Sequence, residues 1–395
     1  MTIRSLEGLR GVAALMVALF HGYIYSQWGG LPAQSDVLRY SWLFVDLFFV
    51  ISGVVMAMNY GDRIGSLRDG AGFMIRRFFR LYPLHVVTTA SVLLAAVLVQ
   101  TAKLVLTRYG HPVGTEPPFA VPFFDPVLLL LDTFLLQGVG FLRREIHNYP
   151  SWSISVEFWL YLSFALLMLV IRPRRLRIVA SVVIVMLTTG WFLYLWSVVA
   201  ADLRTLDTRG LPRGLLSFFQ GVLVYEIWRA PLGRWLRDRT HAVALSTLQL
   251  LAAFIALWLI GHQPLLGAWQ LLIPTAFALL VLSLLPDRGV VAAGLMTRPL
   301  QGLGMLSYSI YMVHVTVLTF VDWLGRVTPE PAKHLIGGGY VAAVLALAWL
   351  TYRIVEVPWR EYGKRLAARV ERRETVPGAS PLQRLNARLN DASDS

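Results

Sequence analysis

Residues Leu9–His21 read LRGVAALMVALFH, an apolar run whose strongly polar side chains are Arg10 and His21. About 20 apolar residues are enough to cross a bilayer as a helix, and this run continues in character to residue 27. An ionisable side chain inside a membrane helix costs about 2.5–3.5 kcal/mol on insertion scales, and usually persists because it has a partner or faces a cavity. The stretch therefore predicts a transmembrane helix with two candidate functional residues.

The composition extends this conclusion to the whole chain. The 395 residues are 56% hydrophobic and 15% charged, with a mean hydropathy of +0.59. Soluble domains carry about 45–50% apolar and about 25% charged residues. An integral membrane protein in a lipid bilayer is therefore expected. The absence of cysteine excludes disulfides, thiolate catalysis and cysteine-ligated metals, and we expect no metal site.

The net charge of +13 lies in short arginine clusters between the apolar runs. This pattern fits cytoplasmic loops, which are enriched in Lys and Arg, better than a surface for nucleic acid. No nucleic-acid partner is therefore expected.

Ten segments qualify or nearly qualify as membrane spans by length and apolar character. They are residues 9–27, 40–59, 81–103, 152–171, 178–199, 211–228, 241–261, 267–286, 304–324 and 336–356. An eleventh apolar segment, 126–142, is shorter and contains Asp132 and Gln137.

Charge decides the role of the eleventh segment. Arginine clusters at residues 63–80 and 172–177 are both expected to be cytoplasmic, so the number of crossings between them is even. Segments 81–103 and 152–171 supply two crossings, which makes 126–142 a re-entrant or interfacial segment. The prediction is an all-α, polytopic membrane helix bundle with ten transmembrane helices and cytoplasmic termini. Residues 1–365 form the transmembrane domain, and residues 366–395 a cytoplasmic, disordered tail.

Arg10 and His21 are 11 residues apart, which places them about 20° from whole helical turns and roughly 16 Å apart along the axis. Both therefore share one helix face, with Arg10 near the cytoplasm and His21 in the outer half. The simpler alternatives are that Arg10 snorkels to lipid headgroups and that His21 is only hydrogen-bonded within the bundle.

Two carboxylates are predicted at the depth of His21. Asp46 lies six residues below the outer end of its span, as His21 does, and Glu157 lies at a similar depth. A carboxylate that orients an imidazole and raises its basicity supports a general base. Asp46 as a backbone cap and Glu157 in an ion pair with an arginine are the structural alternatives.

Four further residues are candidates for substrate binding: Trp152, Ser153, Tyr311 and His314. Ser153 is four residues from Glu157 and shares its helix face, whereas Trp152 also suits an aromatic belt at the membrane surface. For His314, a buried and hydrogen-bonded histidine is the alternative.

The motif MIRRFFRLYP carries Arg77 and Arg80, one helical turn apart and just before Pro83, at the predicted inner surface. Paired guanidinium groups suit bidentate contact with phosphate. A plain cluster of positive charge at the cytoplasmic surface is the alternative.

Six motifs in order resemble the membrane-bound acyltransferase 3 family. They are Arg10-x10-His21, DLFFVISG, RRFFRLYP, SWSISVEFWLY, LSYSIYMVH and VEVPWREY, and they extend over residues 4–365. The resemblance implies a ten-helix enzyme of the bacterial inner membrane. It would move an acyl group, most often acetyl, from cytoplasmic acyl-CoA to a hydroxyl of a glycan or a glycosylated small molecule.

The resemblance also implies roles for individual residues. Arg10 and His21 correspond to residues held essential, and Arg77 and Arg80 fall where donor binding is proposed. Relatives with a fused hydrolase-like domain exist, so a one-domain version is expected to act alone or with a partner enzyme of polysaccharide synthesis.

The resulting hypothesis is an O-acyltransferase that uses acetyl-CoA as its donor substrate. Arg10, Arg77 and Arg80 bind the donor, His21 is the general base, and Asp46 or Glu157 holds its imidazole. Direct transfer and an acyl-histidine intermediate both remain open. The rival function is a proton-coupled transporter or flippase that uses the same intramembrane charges as a relay.

Overall fold

The computed structural model of the chain describes residues 3–26, 35–110, 125–140, 147–199, 210–238, 241–327 and 333–371. Within these ranges the chain forms helices and turns, with no strand. The helices are α1 (Arg4–Ser26), α2 (Asp36–Arg39), α3 (Phe44–Tyr60), α4 (Leu67–Arg108), α5 (Pro126–Thr133), α6 (Ser151–Val170), α7 (Arg174–Val199), α8 (Gly210–Arg229), α9 (Pro231–Arg237), α10 (Ala242–Gly261), α11 (Gln263–Leu266), α12 (Leu272–Leu284), α13 (Val290–Leu295), α14 (Arg298–Val327), α15 (Lys333–Thr351) and α16 (Val357–Glu371).

Eight helical segments of the described chain are long and apolar enough to cross a membrane. They are Ser41–Tyr60, Leu67–Arg108, Ser151–Val170, Arg174–Val198, Ala242–Gly261, Gln263–Leu284, Arg298–Val321 and Leu335–Glu371. The all-α polytopic membrane bundle is thereby confirmed. The other two predicted spans, 9–27 and 211–228, are also helical and lie in α1 and α8, helices that contain three charged residues each. The number of ten spans stays a prediction.

Two close helix pairs form the centre of the bundle. Helix α1 packs along α14, and α3 packs along α8. A Cβ at Gly11 would collide with the backbone of Gly304, and one at Gly53 would lie 3.1 Å from the Cα of Gly221. Small residues at such contacts let membrane helices approach backbone to backbone.

Arginines of α7 and α8 contact the end of α3 at one end of the bundle. Arg229 forms an ion pair with Asp62 at 2.9 Å, and Arg177 donates a hydrogen bond to the carbonyl of Gly61 at 2.5 Å. These contacts join the end of α3, the start of α7 and the end of α8. We call this the arginine-rich end.

The segment 126–142 begins as the eight-residue helix α5, whose N-terminus is capped by Asp125. A helix of this length is about 12 Å long, much less than the ~30 Å thickness of the hydrocarbon core. Leu135 follows with a positive φ of 54°, and its carbonyl accepts from Trp159 at 2.8 Å. The helix is therefore too short to span, and residues 141 and 142 lie outside the described ranges.

The first residues of the predicted tail, 366–371, form the last part of α16. Glu371 accepts two hydrogen bonds from Arg76 on α4, at 2.8 and 2.6 Å. The boundary at residue 366 stays a prediction. The rest of the predicted tail lies outside the described residues.

The glycine contact between α3 and α8 gives a stability prediction. We expect Gly53→Ala to lower the stability of the purified protein by about 1–3 kcal/mol, because its new methyl group meets the carbonyl of Phe218. Gly190→Ala is the matched control, since no atom lies within 4 Å of its Cβ position. Thermal unfolding in detergent measures both, and equal midpoints would contradict this account of the packing.

Candidate active site

A pocket lies between α1, α3, α6 and α14, with about 430 Å³ of empty space including its open mouth. Its walls are mainly aromatic and aliphatic, with a few polar groups. Four predicted site residues line it: Arg10, Ser153, Glu157 and Tyr311. Ser52 and Tyr308, which the sequence reasoning did not single out, also line it.

His21 and His314 form a buried pair beside this pocket. Nε2 of His314 lies 3.1 Å from Nδ1 of His21, and Nδ1 of His21 also lies 3.0 Å from the carbonyl oxygen of Val17. The ring of His314 lies 5.9 Å from that of the pocket residue Tyr311, measured between centroids. The structure thus brings together two predicted residues from helices α1 and α14.

The contact with Val17 favours one tautomer of His21. A carbonyl oxygen only accepts, so a neutral His21 carries its proton on Nδ1 and donates it to Val17. Nε2 is then the basic nitrogen of the ring.

Asp46, the first of the two predicted carboxylates, contacts α8 instead of His21. Its carboxylate accepts hydrogen bonds from Arg213 Nε at 3.0 Å, from Arg213 Nη2 at 2.7 Å and from Ser217 at 3.0 Å. Neither Asp46 nor Arg213 has an exposed side chain. The carboxylate is directed to α8 because a buried guanidinium there requires a counter-charge.

Arg213 is the main residue that sequence reasoning missed. Its guanidinium lies between the rings of Trp42 and Trp152, 4.9 and 5.5 Å from their centroids. Trp152 therefore supports the ion pair and is not among the residues that line the pocket. An arginine inside the predicted span 211–228 was the available signal.

Glu157 does not contact His21 either. Its carboxylate accepts from Ser52 on α3 at 2.8 Å and from the hydroxyl of Tyr161 on its own helix. Neither candidate carboxylate contacts His21 in the described part of the chain, and their catalytic role stays a prediction. Glu157 instead presents a negative charge to the wall of the pocket.

Ser153 and Tyr311 form a second polar group on the wall. Their hydroxyl oxygens are 2.8 Å apart, and both hydroxyls lie within reach of the Pro150 carbonyl, at 3.0 and 3.3 Å. This arrangement joins α6 to α14 close to the histidine pair.

The three arginines predicted to bind a donor occupy different environments. Arg10 lines the pocket and lies 3.6 Å from Glu7. Arg77 lies over the rings of Tyr60, Phe73 and Tyr161, at 5.4, 5.8 and 5.7 Å from their centroids.

Arg80 lies in an acidic environment instead. It is half-buried and forms no hydrogen bond or ion pair with the described part of the chain. It is within electrostatic range of Glu356, Glu157 and Glu7. One turn of helix thus separates a guanidinium that contacts three rings from one that has acidic residues within electrostatic range.

A buried Asp–His pair near the site was also missed. Nδ1 of His147 lies 2.6 Å from Asp132, and both side chains are almost fully buried. The ring of Tyr149, two residues later, contacts the ring of His21 edge-on with centroids 5.7 Å apart. His147 and Tyr149 lie in the turns before α6, so helical spacing gave no signal for these contacts.

The ion pair between Asp46 and Arg213 gives a prediction that isolates the contribution of the pair to stability. Breaking a buried pair by removing one partner costs about 3–5 kcal/mol, because the other charge stays buried. We expect Asp46→Ala and Arg213→Ala each to lower the unfolding midpoint strongly, and the double variant to lose much less than their sum.

The more exposed pair of Asp62 and Arg229, with 63% and 34% of the side chains exposed, is the control. Its single variants should shift the midpoint little. Additive losses at Asp46 and Arg213 would refute the coupling.

Comparison with known proteins places these residues in a family. Residues 3–353 match the acyltransferase domain of the acyltransferase 3 family. A protein named as a membrane-bound transacylase, BcsY of Komagataeibacter xylinus, is 26% identical over 373 residues, covering 92% of this chain and 84% of the relative. The acyltransferase MdmB of Streptomyces mycarofaciens is 29% identical over 385 residues, covering 89% of this chain and 87% of the relative.

A more distant relative, named as an O-acetyltransferase, comes from Staphylococcus aureus strain COL. It is 21% identical over 391 residues, covering 91% of this chain and 58% of the relative. No solved structure matches the chain. The family match covers most of the chain, so this membrane protein belongs to the acyltransferase 3 family of acyltransferases.

Proposed function

We propose that the protein transfers an acetyl group from acetyl-CoA to a hydroxyl of a carbohydrate or glycosylated acceptor, with His21 as general base. The observation that carries the proposal is a titratable histidine pair beside a pocket that also contains Arg10. The pocket can then hold part of the donor near Arg10, with the reacting groups on the side where Tyr311 contacts the histidine pair. The names of the relatives, a transacylase, an acyltransferase and an O-acetyltransferase, support this class of reaction.

The proton transfer follows from the assigned tautomer. Nε2 of His21 takes the proton of the acceptor hydroxyl while the hydroxyl oxygen bonds to the acyl carbon. The bond from carbon to sulfur breaks, and the thiolate of coenzyme A receives the proton from His21, so the imidazole returns to its neutral form. Base catalysis of this kind contributes about 10²–10⁴-fold in rate. The contact with Val17 holds the ring in place throughout.

The donor site rests on three arginines with different tasks. Arg80 forms no hydrogen bond within the described chain, so its N–H groups suit bidentate contact with a phosphate. Arg10 contributes charge on the pocket wall. Arg77 contributes charge from its aromatic surroundings.

The acceptor is expected to meet the pocket at Ser153 and Tyr311, whose hydroxyl oxygens suit hydrogen bonds with sugar hydroxyls. We propose that it enters from the side opposite the arginine-rich end. The arginine-rich end would face the cytoplasm of a bacterial inner membrane. A partner enzyme of polysaccharide synthesis would supply or receive the acceptor.

A test of the base uses two histidines with the same local geometry. His21 contacts the carbonyl four residues earlier, and the exposed His262 contacts Trp258 in the same way at 2.9 Å. We expect His21→Ala to abolish acetylation because the proton acceptor is lost, and His262→Ala to leave it unchanged. The measurement is mass spectrometry of cell-surface glycans and secreted glycosides from cells with each variant.

Immunoblots of the membrane fraction establish that both variants insert equally. Near-normal acetylation by inserted His21→Ala protein would rule out the base role. An acetyl group trapped on His21 in a purified protein without acceptor would replace direct transfer by an acyl-enzyme route.

A further inference from the structure

A π-helical turn, Tyr352–Glu356, joins α15 to α16. Such turns are rare, and they are found frequently at functional sites. Its last two residues begin the motif VEVPWREY, to which the proposed reaction assigns no role. Its last residue, Glu356, is only 3% exposed. A buried carboxylate in a membrane bundle requires an explanation.

The contacts of Glu356 bring it to the junction of α14 and α16. Ser309 on α14 donates a hydrogen bond to Glu356 Oε2 at 3.0 Å. Arg360, one turn along α16, lies 3.9 Å away and is itself partly exposed. Neither contact neutralises the carboxylate by a close bidentate ion pair.

Arg80 reaches the same junction from α4. The preceding residue, Phe79, stacks on Trp359 of α16 with an interplanar angle of 7° and centroids 5.9 Å apart. The following residue, Leu81, accepts a hydrogen bond at 2.6 Å from Tyr308, which precedes Ser309 on α14. Both neighbours of Arg80 are therefore bound to the helices that hold Glu356.

The carboxylate of Glu356 attracts the guanidinium of Arg80 without forming an ion pair with it. Arg80 is within electrostatic range of Glu356, yet no ion pair or hydrogen bond joins them within the described chain. A direct bidentate pair would use the N–H groups that a phosphate needs. A nearby but unbonded charge instead stabilises the guanidinium and leaves those groups available.

We propose that Glu356 is a positioning residue that holds the Arg80 guanidinium ready to bind a phosphate of the acyl donor. This inference rests on the proposed function, in which Arg80 contacts the donor. The opposite role, a carboxylate that competes with the donor for Arg80, makes the opposite prediction about affinity.

The test measures binding of acetyl-CoA to the purified full-length protein by isothermal titration calorimetry. Glu356→Gln keeps the shape and removes the charge, and we expect it to weaken binding about tenfold, or about 1.4 kcal/mol. Arg80→Ala should weaken binding at least as much. The double variant should bind no worse than Arg80→Ala, because Glu356 acts through that arginine.

Two controls separate this role from a structural one. Glu361→Gln removes an exposed carboxylate on α16 that is paired with Lys364, and it should leave the affinity unchanged. Acetyl-pantetheine carries the same thioester without the nucleotide phosphates. Its binding, measured by competition, should not change in Glu356→Gln, whereas a distorted pocket would weaken both ligands.

Each outcome assigns a cause. Unchanged affinity in Arg80→Ala overturns the donor role of that arginine, which belongs to the proposed function. Weaker binding in Arg80→Ala combined with unchanged or tighter binding in Glu356→Gln overturns the positioning role alone, as does an additive double variant. Should Glu356→Gln fail to fold, Ser309→Ala frees the same carboxylate, and we expect a smaller loss that disappears in the Arg80→Ala background.

Discussion

The ion pair between Asp46 and Arg213 is the constraint on which the rest of the site depends. Both side chains are fully buried, and a charge in that environment persists only with a partner of opposite sign. The pair joins α3 to α8, with the ring of Trp152 from α6 beside the guanidinium. These contacts fix α3 and α6, two of the helices around the pocket, and use a carboxylate that was predicted to lie at the depth of His21.

The contacts of His21 that the structure describes are a backbone carbonyl, a second imidazole and aromatic rings. A carboxylate partner would stabilise the imidazolium and make the proton harder to release. In the proposed reaction the imidazolium is transient, since the departing thiolate takes the proton. Neutral contacts that fix the ring suit a base that must return the proton in the same cycle.

The apolar runs predicted the bounds of the helices closely. They predicted much less well which helices pack against each other. The segments 152–171 and 241–261 correspond to Ser151–Val170 and Ala242–Gly261 within one residue at each end. The predicted span 81–103 is part of the longer helix α4. This helix begins before the arginine motif and contains Pro83. The spacing of residues along the chain gives the membrane depth and the helix face expected for a side chain. Which helix lies against that face depends on tertiary packing. That is why Asp46 was expected beside His21 and lies beside a residue 167 positions away.

The same packing weighs against a proton relay through the bundle. A relay needs carboxylates that exchange protons along a connected path. Asp46 is bound by Arg213, and Glu157 is bound by Ser52 and Tyr161. Arg10 and Tyr311 line one pocket, and the ring of Tyr311 contacts the ring of His314. A pocket with a guanidinium on its wall and an imidazole behind Tyr311 fits a ligand with a negative charge at one end and a reacting carbonyl at the other. The geometry thus favours group transfer over proton transport.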